Sequence, residues 1–166
     1  MLLIDGNNLL HAARLIKSRA TRADFDRARD ELLRRLAGYV AAKGGLKILV
    51  VFDGGDPAFP GPPFQRTTIH GLPVLYASRP SDADAEILER IDREKDPKSV
   101  RVVTDDRALR DAAATRGARP ATAREFLKEL AEYAGKRGTK SPDGSPKEQG
   151  ISEREAEEWM KEFGLE

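Results

Sequence analysis

Three apolar runs each stop at a carboxylate. Met1 to Ile4 is followed by Asp5, Val50 to Phe52 by Asp53, and Val102 to Thr104 by the pair Asp105-Asp106. An apolar run of this length, bounded by Asp and Gly, reads as a buried strand with a polar turn after it. In open α/β sheets ligands bind just beyond the carboxyl ends of the strands, so the three acids are expected at one edge. A fourth, Asp84, lies three, four and seven residues before Ile87, Leu88 and Ile91. That spacing sets it on the apolar face of a helix, pointing back toward the sheet. Asp82 and Glu86 fall off the stripe and are expected to face solvent.

Asp5, Asp53, Asp84 and Asp106 thereby converge on one pocket. Two carboxylates about 5 Å apart repel by roughly 3 kcal/mol at an effective dielectric of 20. Several such pairs strain a fold or raise pKa values unless a cation lies among them. The chain has no cysteine and two histidines, His11 and His70, so thiolate and multi-histidine sites are excluded. Oxygen ligands point to Mg²⁺ or Mn²⁺. A hard ion of this kind lowers the pKa of water and steadies charge on a phosphate, which suits phosphodiester hydrolysis. Asn8 reaches the same site through a water or a neighbouring carboxylate, or else bonds its own turn. Thr104 orients a carboxylate or ends its strand, and either Asp105 or Asp106 is the ligand. His11 follows Asn8 closely enough to line the pocket or to miss it. His70 falls in a loop and reads as solvated.

Helices must bring these residues together. Leu9 to Leu15 forms a short helical turn. Thr21 and Asp24 have imperfect capping-box spacing before an amphipathic helix of about five turns, with Phe25, Ala28, Leu32, Leu36, Tyr39 and Val40 on one face and Gly44-Gly45 as its stop. Leu46 to Phe52 is the second strand, and Pro57 to Pro63 is a loop that cannot be helix or central strand. Leu72 to Ala77 is a third strand, and Ser81 with Asp84 caps a helix running to about Glu94. Val100 to Thr104 is a fourth strand, followed by a helix over Ala108 to Thr115. Thr122 and Glu125 cap a helix that continues to about Ala134. The order predicts βαβ units and a mainly parallel sheet with helices on both faces. Residues 1–134 read as the domain. Residues 135–150 lack any apolar side chain and read as a flexible basic linker. Residues 151–166 read as a short C-terminal helix bearing Trp159, Met160 and Phe163, which docks on the domain or on a partner.

A polyanionic substrate needs cations around such a pocket. Arg14, Lys17, Arg19 and Arg22 follow the first turn, Arg66, Arg79 and Arg107 lie near strand ends, and Lys136 and Arg137 mark the linker. As a set they can supply phosphate contacts that give affinity without reading sequence. Phe59, Phe64 and Tyr76 are the best-placed rings for base stacking. Composition adds little: Lys and Arg number 29 against 28 Asp and Glu, a net charge of +1, so there is no global pull toward nucleic acid. No apolar run reaches the roughly 18 residues of a membrane span. Asp5 interrupts the N-terminal run, which has no basic region before it and is no signal peptide. A soluble cytoplasmic protein is expected. No G-x-G-x-x-G follows the first strand, which excludes a Rossmann dinucleotide site.

Taken together, LLIDGNNLL, VVFD, the DAD segment before ILERI, and VVTDD resemble the YacP-like NYN domain family of the PIN-like nuclease superfamily. ARPATAREFLKEL is similar to that family's last domain helix, and GISEREAEEWMKEF to its short C-terminal helix. The resemblance implies a PIN-like three-layer α/β/α sandwich and metal-dependent endoribonuclease activity, with translated messenger RNA on the ribosome as substrate. By position, Asp5, Asp84 and Asp106 match the acidic core, Asn8 the signature, and Asp53 the acid after the second strand. Asn7 stands where the family usually has an aromatic residue, and Asp105 where a small hydroxyl residue is usual.

Two other functions use the same residues. One is a non-catalytic RNA- or ribosome-binding module of this fold. The other is a metal-dependent phosphatase, although Asp5-Gly6-Asn7 lacks the second acid two residues on that phosphoaspartate enzymes generally use.

Overall fold

A computed structural model of the chain describes residues 1–53 and 64–138, with the side chains of 80–81 and 135–138 left aside. The elements in order are β1 (Leu2–Asp5), α1 (Gly6–Ala12), α2 (Arg22–Lys43), β2 (Ile48–Phe52), β3 (Phe64–Ile69), β4 (Leu72–Ala77), α3 (Pro80–Arg93), β5 (Arg101–Val103), α4 (Arg107–Thr115), β6 (Arg119–Ala121) and α5 (Ala123–Gly138). They build one six-stranded sheet, ordered β3-β4-β2-β1-β5-β6. Every pairing is parallel except that of β3 with β4.

Alternation along the strands divides the core in two. Leu2, Ile4, Ile48, Val50, Phe52 and Val74 face α1, α2 and α5. Leu3, Leu49, Val51, Leu75 and Val102 face α3 and α4. Successive side chains of a strand point to opposite faces, so apolar runs without alternation bury both sides. The result is the expected three-layer α/β/α sandwich.

Several helix ends are set by local chemistry. Thr21 and Asp24 form a complete capping box at α2, and Gly44 and Gly45 end that helix with φ of 54° and 70°, backbone that glycine adopts cheaply. Thr122 and Glu125 bond reciprocally at the start of α5. Helix α3 begins before Ser81, which therefore lies inside it and is not its N-cap. Pro80 occupies the first turn of α3, and Arg79 is its N-cap, with no side-chain cap bond. Proline suits that position because its missing N–H has no helical partner anyway. Helix α5 runs four residues past Ala134, through Gly138. The Pro57–Pro63 loop, Phe59, the rest of the linker and the C-terminal helix lie outside the described residues. Among the described residues, no helix is long and apolar enough to cross a membrane.

Two strands escape a reading based on apolar runs. β3 has an exposed centre at Arg66, Thr67 and Thr68 and pairs with β4 through a tight turn at His70 and Gly71, both at positive φ. Two such residues give the twist a short hairpin needs. His70 is not merely solvated, since its Nε2 lies 2.7 Å from Asp30 Oδ1 on α2. β6 is three residues long and holds Pro120 at the sheet edge, where a missing N–H is tolerated.

Candidate active site

Strand β1 lies at the centre of the parallel set, between β2 and β5. Asp5 ends it and is 9% exposed. The carboxylate is held from three directions: it accepts from Asn8 N at 3.2 Å, from Asn8 Nδ2 at 2.5 Å and from Thr104 Oγ1 at 2.9 Å. Asp5 is therefore also the N-cap of α1, satisfying an amide that the helix leaves free. Gly6 must be glycine for a packing reason. A Cβ there would stand 2.4 Å from the Phe52 ring, so the turn after β1 can press onto β2 only without a side chain.

Asp53 follows β2. Asn7 donates through Nδ2 to Asp53 Oδ1 and, at 3.3 Å, to its carbonyl. Burial raises the pKa of Asp53, and the Asp5 charge adds to it, while His11 and Arg29 pull the other way. His11 thus stands within electrostatic reach of the pocket. Asp84, half-buried on α3, has its pKa pushed up to about 6, first by burial and then by Asp5, Asp106 and Asp53. Asp106 is exposed and caps α4 by accepting from Leu109 N at 2.9 Å. Asp5, Asp53 and Asp106, from three other parts of the chain, thus all raise the cost of ionising Asp84 at the carboxyl edge of the sheet.

The adjacent residues Asp105 and Asp106 separate cleanly. Asp105 accepts from Ala123 N at 2.8 Å and ties the start of α5 to the end of β5. It is Asp106 that acts on Asp84. Thr104, fully buried, does more than end a strand: its hydroxyl donates to Asp5 and accepts from Asp106 N at 3.1 Å.

The cations divide by position. Arg79 pairs with Asp82 at 3.0 Å, and Arg107 stands 3.9 Å from Asp111; both begin helices that leave the carboxylate edge. Arg14 follows α1 in a left-handed backbone conformation, φ 52°. Arg66 instead approaches Glu86, at 4.0 Å. Glu86 is not solvent-facing: it is 5% exposed and accepts from Arg90 Nε at 2.8 Å. Lys136 and Arg137 lie in the last turn of α5. That helix leads from Asp105 past Glu129, which bonds Arg101 at the start of β5, so these two sit at the end remote from the acids. Of the proposed stacking rings, Tyr76 is already stacked on Phe52 at 5.6 Å, and Phe64 packs against the α3 side of the core.

One residue beside the site carried no signal in the sequence. The Arg29 guanidinium lies 5.5 Å from the ring centres of both Phe52 and Tyr76 and acts on Asp53. Its Nε is buried and has no hydrogen-bond partner among the described residues. On α2 it is one arginine among several, and only the packing of that helix over β2 and β4 singles it out.

The donor set fits a hard divalent ion: all oxygen, several carboxylates, and a repulsion, only partly offset by His11 and Arg29, that a cation would relieve. The buried Asn7 Oδ1 also lacks a hydrogen-bond partner among the described residues. As the side chains stand, no three acidic or imidazole groups among the described residues are close enough to share one ion. Asp5, Asp53 and Asp106 are each turned toward a protein donor, so holding an ion requires some of them to rotate.

Fold and pocket together define a three-layer α/β/α domain, a mainly parallel sheet with acids gathered beyond its strand ends. The model of the YacP-like NYN domain matches residues 2–163, and the chain belongs to that family. Among solved structures it is similar to Rae1 (YacP) from Bacillus subtilis, with a TM-score of 0.63 and 23% identity, covering 99% of this chain and 84% of that one. A mutant form of the same Bacillus subtilis protein gives a TM-score of 0.61 and 24% identity, covering 98% and 91%. These likenesses establish the fold. No curated protein matches the chain at a significant level.

Proposed function

We propose that the chain is a Mg²⁺- or Mn²⁺-dependent endoribonuclease that cuts single-stranded or messenger RNA, with the ribosome as the setting that family membership suggests. The observation that carries this reading is the convergence of Asp5, Asp53 and Asp106 on Asp84, whose pKa all three raise, with Asp5 also raising that of Asp53. Asp5, Asp84 and Asp106 would hold the ion, with Asp53 and Asn8 assisting. When bound, the ion would polarise a phosphoryl oxygen and make water a better nucleophile at neutral pH.

The chain's own residues have separate tasks. Asn8 and Thr104 fix the Asp5 carboxylate. Asn7 fixes Asp53, and Arg29 and His11 offset part of its charge. Asp84 makes no hydrogen bond to a described residue and is the acid most free to turn toward an ion. Arg14, Arg79 and Arg107 flank the edge and can approach a phosphate backbone without reading bases.

The test is Asp84→Asn, assayed on labelled single-stranded RNA with Mn²⁺ and with a chelator. Cleavage by the parent chain is expected to need the ion and to vanish in the variant, while the thermal melt persists. A variant that cuts RNA at the normal rate would overturn the site. Activity on a small phosphate ester with none on RNA would replace the nuclease reading by a phosphatase.

A further inference from the structure

A second basic feature lies beside the acids and plays no part in the site above. β1 and β2 are parallel, so the chain between them must cross from one sheet edge back to the other. Helix α2, 22 residues and about 33 Å long, makes that crossing. Its Thr21 end therefore stands at the carboxylate edge. There the α1–α2 connection and the first turns of α2 enclose a concavity of about 450 Å³, lined by Leu15, Lys17, Arg19, Asp24, Arg27 and Ala28 among others.

The hollow gathers cations that have no carboxylate of their own. Most arginines on the helices do have one, as in Arg34–Glu31, Arg90–Glu86, Arg93–Glu89 and Arg116–Asp92. Lys17, Arg19 and Arg27 have none within ion-pair distance among the described residues. The only acid in the lining, Asp24, is engaged by Thr21 through both backbone and hydroxyl. It feels Lys17 and Arg27, which places both cations around it. Three cations against one carboxylate leave a net excess of two positive charges. The loop is shaped as well as charged: Arg14 turns it at positive φ, and Ala20 N bonds Lys17 O at 3.1 Å. Arg29, two residues beyond Arg27 on another face of the helix, reaches Phe52 next to Asp53, so the turn of α2 that carries Arg27 lies at the same sheet edge as the acidic pocket.

We propose that the hollow formed by Lys17, Arg19 and Arg27 is a backbone-phosphate subsite, gripping a single-stranded nucleic acid a few nucleotides from the linkage at the acidic pocket. It rests on the reading of that pocket as a nuclease centre. The hollow offers charge and hydrogen-bond donors but no ring for stacking, so it holds phosphate and does not select a base. RNA and DNA of one sequence are gripped there alike.

The experiment measures binding of a short single-stranded RNA, and of the same sequence as DNA, in chelator at several salt concentrations. It compares the parent chain with K17Q/R19Q/R27Q and with a control at the opposite sheet edge, K47Q/K98Q/R119Q. All six side chains are exposed, and thermal melts confirm folding. The hollow variant is expected to bind both oligonucleotides about tenfold or more weakly. Its slope of log K against log salt should flatten by about 2, since each single-strand phosphate contact contributes about 0.7. The control should change little. An equal loss in the control, or an unchanged affinity and slope in the hollow variant, would overturn the subsite. If RNA is cut but binding ignores the hollow, the subsite fails and the nuclease reading survives. If binding needs the hollow but Mn²⁺ brings no cleavage, the reverse holds. A chain that binds no RNA at all removes both.

Discussion

The Thr104 hydroxyl joins the end of β1 to the start of α4: it donates to Asp5 Oδ2 at 2.9 Å and accepts from Asp106 N at 3.1 Å. Thr104 is fully buried, so neither bond can be replaced by bulk water. Its position after β5, beside the central β1, makes it the link that sets the spacing between the pocket's two strand-end acids.

Thr104→Val keeps the shape and removes both bonds. Leaving the Asp106 amide and an Asp5 oxygen short of partners is expected to lower stability by about 1–3 kcal/mol. RNA cleavage should fall at least tenfold because Asp5 is no longer fixed. Thr104→Ser restores the hydroxyl and should recover most of the activity. Denaturant melts and cleavage rates on the three proteins measure both effects. Equal activity in Thr104→Val and the parent chain would show that the hydroxyl serves folding alone.

Asp84 gives stability a pH dependence with a definite sign. Its pKa rises from 3.8 to about 6 on folding, by burial and by three neighbouring acids. Between about pH 4 and 6 the folded chain holds the proton that the unfolded chain has released. Stability contributed by this group is therefore full below pH 4 and is lost as pH rises through 6. A shift of this size corresponds to at most about 3 kcal/mol, and screening of the half-buried carboxyl reduces that to about 1 kcal/mol. In chelator, Asp84→Asn should melt above the parent at pH 7.5 and level with it at pH 4. Mn²⁺ competes with the same proton, so it should raise the parent's Tm more at pH 7.5 than at pH 5, and much less in the variant. A parent whose Tm ignores Mn²⁺ at pH 7.5 would argue against an ion among these acids.

The sequence makes the acids legible because strand ends and a helical stripe are both short-range patterns. Asp5, Asp53 and Asp106 needed only a parallel sheet, and Asp84 needed only its spacing to Ile87 and Ile91. What it hides depends on neighbours distant in the chain. β3 is half polar and gains its place from pairing with β4; the useful signal was Thr67-Thr68-Ile69 ahead of His70-Gly71, a β-branched run before a two-residue turn. β6 is too short to show a period. The Ser81–Asp84 pattern misled because Pro80 starts the helix earlier. Arg29 beside Asp53 is visible only once α2 has been laid across β2. Glu86 is the clearest case: one residue off Ile87's stripe it looks solvated, yet α3 packs so that Arg90 and Arg66 approach it.

Glu86 therefore supports a prediction opposite to that for a surface acid. Its side chain is 6% exposed, accepts from Arg90 Nε at 2.8 Å and lies 4.0 Å from Arg66 on the edge strand. Arg90 is itself largely covered, its side chain 26% exposed. Glu86→Ala would leave that guanidinium partly buried without its partner, and breaking such a pair costs about 3 kcal/mol or more. Glu86→Gln keeps an acceptor for Arg90 and should lose roughly half as much. Arg66 is 68% exposed on its side chain, so Arg66→Ala should cost under about 1 kcal/mol. Urea melts on the three variants give this order directly. Glu86 sits on the α3 side of the sheet, bonded to Arg90 and away from Asp5, so folded Glu86→Gln should still cut RNA at the parent rate. A surface-like loss below about 0.5 kcal/mol for Glu86→Ala would mean that α3 does not press Glu86 against the edge of the sheet as described.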